Sequence, residues 1–209
     1  MVAFTGLYDP DLTQRIITLG RKGGTMIDIG ANLGYFSLLW ASSNPSNHCI
    51  LVEAAPRNLD ILKKNVAQNG LTDRIRIVPY AAAAKAGKVL FDLGPKDQRG
   101  WGGISLNGNG SQIEVTAIRV DELVSSDETI SMLKVDTEGA DAWALMGCER
   151  LLKNRSVNEI WFEQNKPRMK QLGIPESAAQ DYLESVGYTC KAHNNPRDVL
   201  VEWSAVPAG

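Results

Sequence analysis

Several routes of interpretation close on what the sequence does not contain. No apolar run among its 209 residues is long enough to span a bilayer, so no membrane helix is expected. Basic residues are not in excess: 22 Lys and Arg stand against 24 Asp and Glu, a net charge of −2. Neither a nucleic-acid footprint nor a polybasic membrane surface is therefore expected. The three cysteines, Cys49, Cys148 and Cys190, are an odd, scattered set in apolar surroundings. They point to buried thiols in a reducing compartment and not to a disulfide framework. With His48 and His193 as the two histidines, no metal-ligand spacing arises, and no metal ligand is assigned. The stretch from Met1 to Pro10 has neither a basic start nor a long apolar core, so no secretory signal is read there. A cytoplasmic enzyme is the expected setting. Neither G-x-G-x-x-G nor the Gly-Lys-Ser/Thr of a P-loop is found.

What is present is ordinary globular composition, 44% hydrophobic and 22% charged, in a chain long enough for one α/β domain with a sizeable core. No internal repeat or domain boundary is visible, and residues 1–209 are read as one unit with a leading helical segment, 1–24. The clearest chemical signal lies between Thr25 and Phe36. Met26-Ile27-Asp28-Ile29 reads as a buried strand, Gly30-Ala-Asn-Leu-Gly34 as a turn, and Tyr35 onward as an apolar helix. Such a turn puts backbone N–H groups and a helix N-terminus at a strand's carboxyl end, where open α/β sheets bind nucleotide-like ligands. Asp28 would repel a diphosphate and attract an ammonium. A nucleoside carrying an amino acid suits this turn, and S-adenosylmethionine is such a ligand. A tight turn with no ligand is the plain alternative.

A second strand, His48–Val52, ends at Glu53, 25 residues past Asp28. An acid at that distance is where one carboxylate can accept from both hydroxyls of a ribose. Pro56 to Gly70 carries helix markers, and Arg74–Val78 reads as a third strand. Tyr80-Ala-Ala-Ala-Ala84 has side chains small enough for a flat ring to approach the backbone. Lys88–Leu93 and Gln112–Ile118 alternate like half-exposed antiparallel strands, and Gly94 to Ser111 between them is expected to be a flexible loop insertion near the substrate, with Trp101 and Ser105 as contacts. The fourth parallel strand, Ile130–Val135, leads into Asp136-Thr-Glu-Gly139. One helix is expected over Ala140–Asn154, a fifth strand over Val157–Phe162, a last helix over Ser177–Val186, and a closing antiparallel hairpin of Tyr188–Cys190 and Val199–Trp203.

Tyr8-Asp-Pro10, the Met26-to-Gly34 turn, Val52-Glu-Ala-Ala-Pro56, Ile118-Arg-Val-Asp-Glu-Leu123 and Leu133-Lys-Val-Asp-Thr-Glu-Gly-Ala140 occur in this order. Together they resemble the FkbM family of S-adenosylmethionine-dependent methyltransferases, over Tyr8 to Glu163. The resemblance implies a Rossmann-like class I α/β fold, a mostly parallel seven-stranded sheet with helices on both faces and an antiparallel last strand. It also implies methyl transfer, usually to a hydroxyl oxygen of a natural product, sugar or other small molecule. By position, Asp28, Gly30, Asn32 and Gly34 would line the methionine end of the cofactor, with Tyr35 and Phe36 beside them. Glu53 would hold the ribose, with Ala54 and Asn58 next to it. Asp136 and Glu138 would lie where the methyl group faces the acceptor. The acid that many class I enzymes place after the third strand, against adenine, is missing, and backbone groups of Ala81 and Ala82 are expected in its stead.

Methyl transfer from a sulfonium is an in-line displacement, so the protein must position the acceptor and remove its proton. Asp136, Glu138, Asp141 and Glu163 map to, or just past, the carboxyl ends of strands four and five, where mutual repulsion can bring one carboxyl into the working range; Asp136, Glu138 and Glu163 are the candidate catalytic residues. The same oxygens suit a divalent metal, the less favoured reading. Strand-end acids also cap helices, and Glu138 has that alternative. Asn165-Lys-Pro-Arg168 offers two cations for an anionic acceptor or for water alone. A nicotinamide-dependent oxidoreductase and a non-catalytic nucleoside-binding module are the competing functions. The partner expected is a small-molecule or carbohydrate acceptor, and the sequence leaves its identity and the oligomeric state open.

Overall fold

The computed structural model describes residues 7–106 and 112–209; the ends of two expected features, residues 1–6 of the leading segment and 107–111 of the loop insertion, lie outside them. The chain runs α1 (Pro10–Gly20), β1 (Thr25–Ile29), α2 (Tyr35–Ser43), β2 (His48–Val52), α3 (Pro56–Gln68), β3 (Ile75–Val78) and β4 (Ala81–Ala82). It continues through β5 (Gly87–Asp92), β6 (Gly103–Ile104), β7 (Gln112–Ile118), β8 (Ile130–Val135), α4 (Asp141–Met146) and α5 (Glu149–Lys153). Last come β9 (Ile160–Asn165), α6 (Lys166–Leu172), α7 (Ala178–Ser185), β10 (Tyr188–Ala192) and β11 (Leu200–Pro207). Among the described residues, seven strands form one sheet in the order β10-β11-β9-β8-β1-β2-β3. From β9 to β3 neighbours are parallel, and β11 runs antiparallel to both β9 and β10. This is an α/β fold with a mostly parallel central sheet. Among the described residues no helix is long and apolar enough to cross a membrane.

Strand alternation divides the core between the two faces. Met26, Cys49, Leu51 and Met132 pack with Leu12 and Ile16 of α1, Trp40 of α2 and Leu62 of α3. Ile27, Ile29, Ile50, Val52 and Leu133 pack on the other face with Leu145, Leu151 and Leu183. At the head of α1, the Asp9 side chain accepts from Leu12 N, and Thr13 Oγ1 donates to Tyr8 O at 2.6 Å. These bonds fix Tyr8 just outside the helix.

The structure departs from the sequence reading in four places. A small second sheet, β4-β7-β5-β6, sits beside the main one, and the expected loop insertion supplies part of it. Within 94–106 the chain forms a 3₁₀ turn, Arg99–Trp101, and then β6, which pairs antiparallel with β5. The helix expected over 140–154 is two helices. A Cβ at Gly147 would stand 2.4 Å from the Ala83 carbonyl oxygen, so the chain breaks where its bare backbone touches a neighbour. The second helix is capped from a distance, Arg150 N and Leu151 N donating to the Asp121 carboxylate at 2.9 and 3.2 Å. The fifth strand starts at Ile160 instead of Val157, which makes only a bridge to Ile130. Its polar end, Glu163-Gln164-Asn165, stays in the sheet because β11 pairs with it. The Asn165-to-Arg168 stretch, for which no helix is expected from the sequence, opens α6: Asn165 accepts from Arg168 N, Pro167 sits in the first turn, and Gly173 closes the helix at φ 68°.

Replacing Gly147 by alanine forces a methyl group against the Ala83 backbone. We expect Gly147→Ala to destabilise the fold by about 1–3 kcal/mol, the usual range for overpacking. Thermal unfolding reads this directly, and an unchanged melting temperature would refute the close approach.

Candidate functional site

The carboxyl ends of β1, β2 and β8 are held together by backbone bonds that cross from strand to turn. Gly30 N donates to Val52 O at 2.9 Å, Asp136 N to Ile29 O at 3.1 Å, and Glu53 N to Val78 O at 3.1 Å. Gly30 has φ 75°, and a Cβ there would lie 1.8 Å from the Asp136 carbonyl oxygen. No other residue type allows the first turn and the end of β8 to meet this closely.

Above this junction lies a cavity of about 360 Å³, lined by the strand ends, by Tyr8 and by residues 98–102. Of the residues expected to bind a cofactor, Gly30, Asn32, Glu53, Ala54, Asn58, Ala81, Ala82 and Asp136 line it. The three expected catalytic residues, Asp136, Glu138 and Glu163, line it too. Glu53, 5% exposed, is held rigidly: Asn32 N donates to Oε2 at 2.7 Å and Ala55 N to Oε1 at 2.8 Å. Burial pushes its carboxyl up, and these backbone bonds oppose the push. Asn32 takes a left-handed backbone, φ 51°, which aims its N–H at Glu53.

Four expected contacts lie off the cavity lining. Asp28 is fully buried behind the turn and does not offer its charge to an ammonium in the cavity. Its carboxylate accepts from Ser37 Oγ at 2.5 Å and pairs with Lys134 Nζ at 3.2 Å. Gly34 is needed for packing, since a Cβ there would meet Leu62 Cδ1 at 2.6 Å. Tyr35 and Phe36 sit behind Tyr8, their ring centroids 6.1 and 5.8 Å from its own. Of the loop residues, Trp101 lines the cavity while Ser105 Oγ accepts from Gln112. The helix α1 packs on α2, and it is Tyr8, just ahead of it, that reaches the cavity.

A family model described as the Methyltransferase FkbM domain matches residues 28–190. The chain belongs to the FkbM methyltransferase family. No curated protein sequence matches it. Among solved structures, it is similar to a methyltransferase FkbM from Methylobacillus flagellatus KT, with TM-score 0.62 and 18% identity over 88% of this chain and 43% of that one. The chain thus spans less than half the length of that protein. A precorrin-6y C5,15-methyltransferase from Geobacter metallireducens GS-15 aligns with TM-score 0.56 and 11% identity over 97% of this chain and 90% of that one. An rRNA methylase from Streptococcus thermophilus aligns with TM-score 0.57 and 7% identity over 97% of this chain and 100% of that one. At these identities the likeness is one of fold, and it matches the Rossmann-like sheet of methyltransferases.

The sequence reading passed over the residue that ties this FkbM fold's site together. Lys134 is 3% exposed and faces Asp28 and Asp136, with Nζ 3.2 and 3.5 Å from their oxygens. Its register partner across β1 is Asp28, and Asp136 lies two positions on, so alternation puts all three on one face. A lysine in an otherwise apolar strand, flanked by these acids, was the available signal. Burial pulls its ammonium down, but Asp28 and Asp136 outweigh this and hold it above the ordinary lysine range. The ring of Phe36 stands 5.3 Å from Nζ.

The negative charge of Asp136 acts on the acids around it. Burial and then Asp136 raise Glu138 to about 7, against the pull of Arg168 and Asn165. Burial, Asp136, Asp141 and Glu202 raise Glu163 to about 9. Asp141, which accepts from Thr137 N at 2.8 Å and Glu163 N at 3.0 Å, fastens the end of β8 to β9. Glu138 has φ 54°, an unusual backbone for a non-glycine, and Asn165 Nδ2 donates to its Oε2 at 3.0 Å. Lys166 is engaged elsewhere, its Nζ donating to Pro196 O at 2.7 Å, whereas Arg168 stays beside the acids, its Nε donating to Glu138 O at 3.4 Å and its Nη2 buried with no hydrogen-bond partner. Among the described residues no group of three or more His, Cys, Asp or Glu side chains has metal-site geometry.

Two outcomes follow. Lys134→Met leaves Asp28 buried without its cation and should destabilise by about 3–5 kcal/mol in denaturant unfolding, with part recovered by adding Asp28→Asn. A single mutant as stable as the double would refute the ion pair. Glu163 has a folded-state pKa of about 9 against an ordinary 4.5, so the folded form binds its proton more tightly. Its contribution to stability is full below about pH 4.5 and is lost as pH rises to about 9. Stability should therefore fall between these limits, and Glu163→Gln should flatten the fall; an equally steep profile for the variant would contradict the assignment.

Proposed function

We propose that residues 1–209 act as one methyltransferase domain that binds S-adenosylmethionine and methylates a hydroxyl oxygen of a small-molecule or carbohydrate acceptor. The observation that carries this reading is the cavity at the strand ends, with a rigidly held carboxylate, Glu53, at one end and Asp136, Glu138 and Glu163 at the other. Its volume of about 360 Å³ falls in the range of small-ligand sites.

The residues present suit that cofactor. Asn32 Oδ1 and Asn58 Oδ1 are buried with no hydrogen-bond partner, so two acceptors wait beside Glu53 for donors such as ribose hydroxyls. Glu53 keeps free lone pairs after its two backbone bonds and would accept from the same diol. Ala54, Ala81 and Ala82 leave a flat, apolar slot for the adenine ring, where an acid is missing. Gly30 brings backbone close to the methionine end without a side chain in the way. When bound, the cofactor supplies a sulfonium methyl group open to in-line attack.

The acceptor's hydroxyl would then be held by the carboxyl groups. Glu163, raised to about 9, keeps its proton at neutral pH and would donate a hydrogen bond. Glu138, at about 7, exchanges its proton near neutrality and is the group suited to take the hydroxyl proton. Asp136 carries the charge that sets both. The closed wall of Tyr8 and residues 98–102 would exclude water.

Calorimetry with S-adenosylhomocysteine tests the reading: micromolar binding is expected, and no binding at millimolar ligand would sink it. Glu53→Ala should weaken that binding by more than about tenfold, the loss of a charged hydrogen bond. Unchanged affinity would remove Glu53 from the ribose role while leaving the cofactor in place.

A further inference from the structure

One wall of the cavity is built from a stretch with little packing of its own. Gln98, Arg99, Gly100, Trp101 and Gly102 line it, yet Trp101 is 59% exposed, and two residues of β6 are the only strand the stretch leads into. Most of the side-chain hydrogen bonds that reach it come from one residue in the first turn of α3. Arg57 Nη1 donates to Pro95 O at 3.0 Å and, at the limit of a hydrogen bond, to Gly94 O at 3.5 Å. Arg57 Nη2 donates to Leu93 O and, at 3.3 Å, to Gln98 O. Arg99 Nη1 returns the contact to Arg57 O at 2.9 Å. Beside it, Asn58 Nδ2 reaches Arg99 O at 3.3 Å and Glu53 Oε1 at 3.5 Å, which links the wall to the carboxylate at the nucleoside end.

We propose that Arg57 is a positioning residue for cofactor binding: its guanidinium gathers the carbonyls of residues 93–98 and so holds the 98–102 wall against the nucleoside half of the cavity. Arg57 is not part of the lining and acts only through that wall. A planar fork with five donors can hold several carbonyls at once, which a lysine ammonium on a flexible stem does poorly. Ala81 and Ala82 line the same cavity and offer adenine no carboxylate, so placement of the wall would carry binding strength that a side-chain acid does not supply here. The proposal rests on the reading of this cavity as a cofactor site.

The experiment is calorimetry of S-adenosylhomocysteine and of adenosine with the wild-type chain, Arg57→Gln, Arg57→Lys and, as a control on the exposed face of α3, Lys64→Gln. Arg57→Gln should raise the dissociation constant of both ligands by about tenfold and by the same factor, because the loss falls on the shared nucleoside. Arg57→Lys should recover only part, and Lys64→Gln should bind like the wild type. Limited trypsin digestion of the free protein should show faster cleavage after Arg99 in Arg57→Gln, a readout that needs no ligand. Melting curves check that Arg57→Gln folds; should it not, Arg57→Lys bears the test. Wild-type binding with unchanged affinity in the Arg57 variants overturns the positioning role alone. A wild-type chain that binds neither ligand overturns the cofactor reading and this proposal together.

Discussion

The ammonium of Lys134, buried between Asp28 and Asp136, is the interaction on which the rest of the site depends. Removing the Lys134 ammonium and the Asp28 carboxylate from water is costly, and the arrangement holds because they pair at 3.2 Å and the part-exposed Asp136 adds a second carboxylate at 3.5 Å. Neighbouring strands thereby become electrically joined at their carboxyl ends. Asp28, below the first turn, sets the seat of α2 through Ser37. Asp136, above it, presents its charge to the cavity. The turn between them, closed at Gly30 against the Asp136 carbonyl, is the place where backbone and charge constraints meet.

Much of this was legible in advance because it follows from local rules. Alternation and turn chemistry fixed β1, β2, α2 and α3 to within a residue or two, and the acids at strand ends marked the cavity's rim. The position of Glu53 at the end of β2, on the cavity lining, follows from the strand pattern before it. What failed to read through depends on contacts between distant segments. The break at Gly147 falls where Ala83, just past β4, comes within touching distance. The extension of β9 to Asn165 needs β11 as a partner, and polar residues give no hint of it. Asp28 looked like a ligand for an ammonium, and it is one, but the ammonium belongs to Lys134. The chemistry was right and the partner was internal, a distinction that only the cross-strand register reveals.

The loop between β5 and β7 taught a related lesson. Its glycines and asparagines read as an unstructured flap, since composition reports the absence of local preference. Order in 94–106 comes instead from outside, through the Arg57 side chain and pairing with β5. A segment can lack any tendency of its own and still be placed, provided a neighbouring helix supplies the donors its carbonyls need.

The charge held by Lys134 also orders the acids of the cavity by protonation. Three carboxyl groups that all ionised at one rim would repel one another and any electron-rich nucleophile brought near. Lys134 pairs with Asp136, and burial and then the charge of Asp136 raise Glu138 to about 7 and Glu163 to about 9. Glu138 and Glu163 are therefore not equivalent carboxylates near neutral pH. The same internal ion pair that joins the strand ends thus gives different surroundings to residues whose sequence, Asp-Thr-Glu and a distant Glu, does not distinguish them.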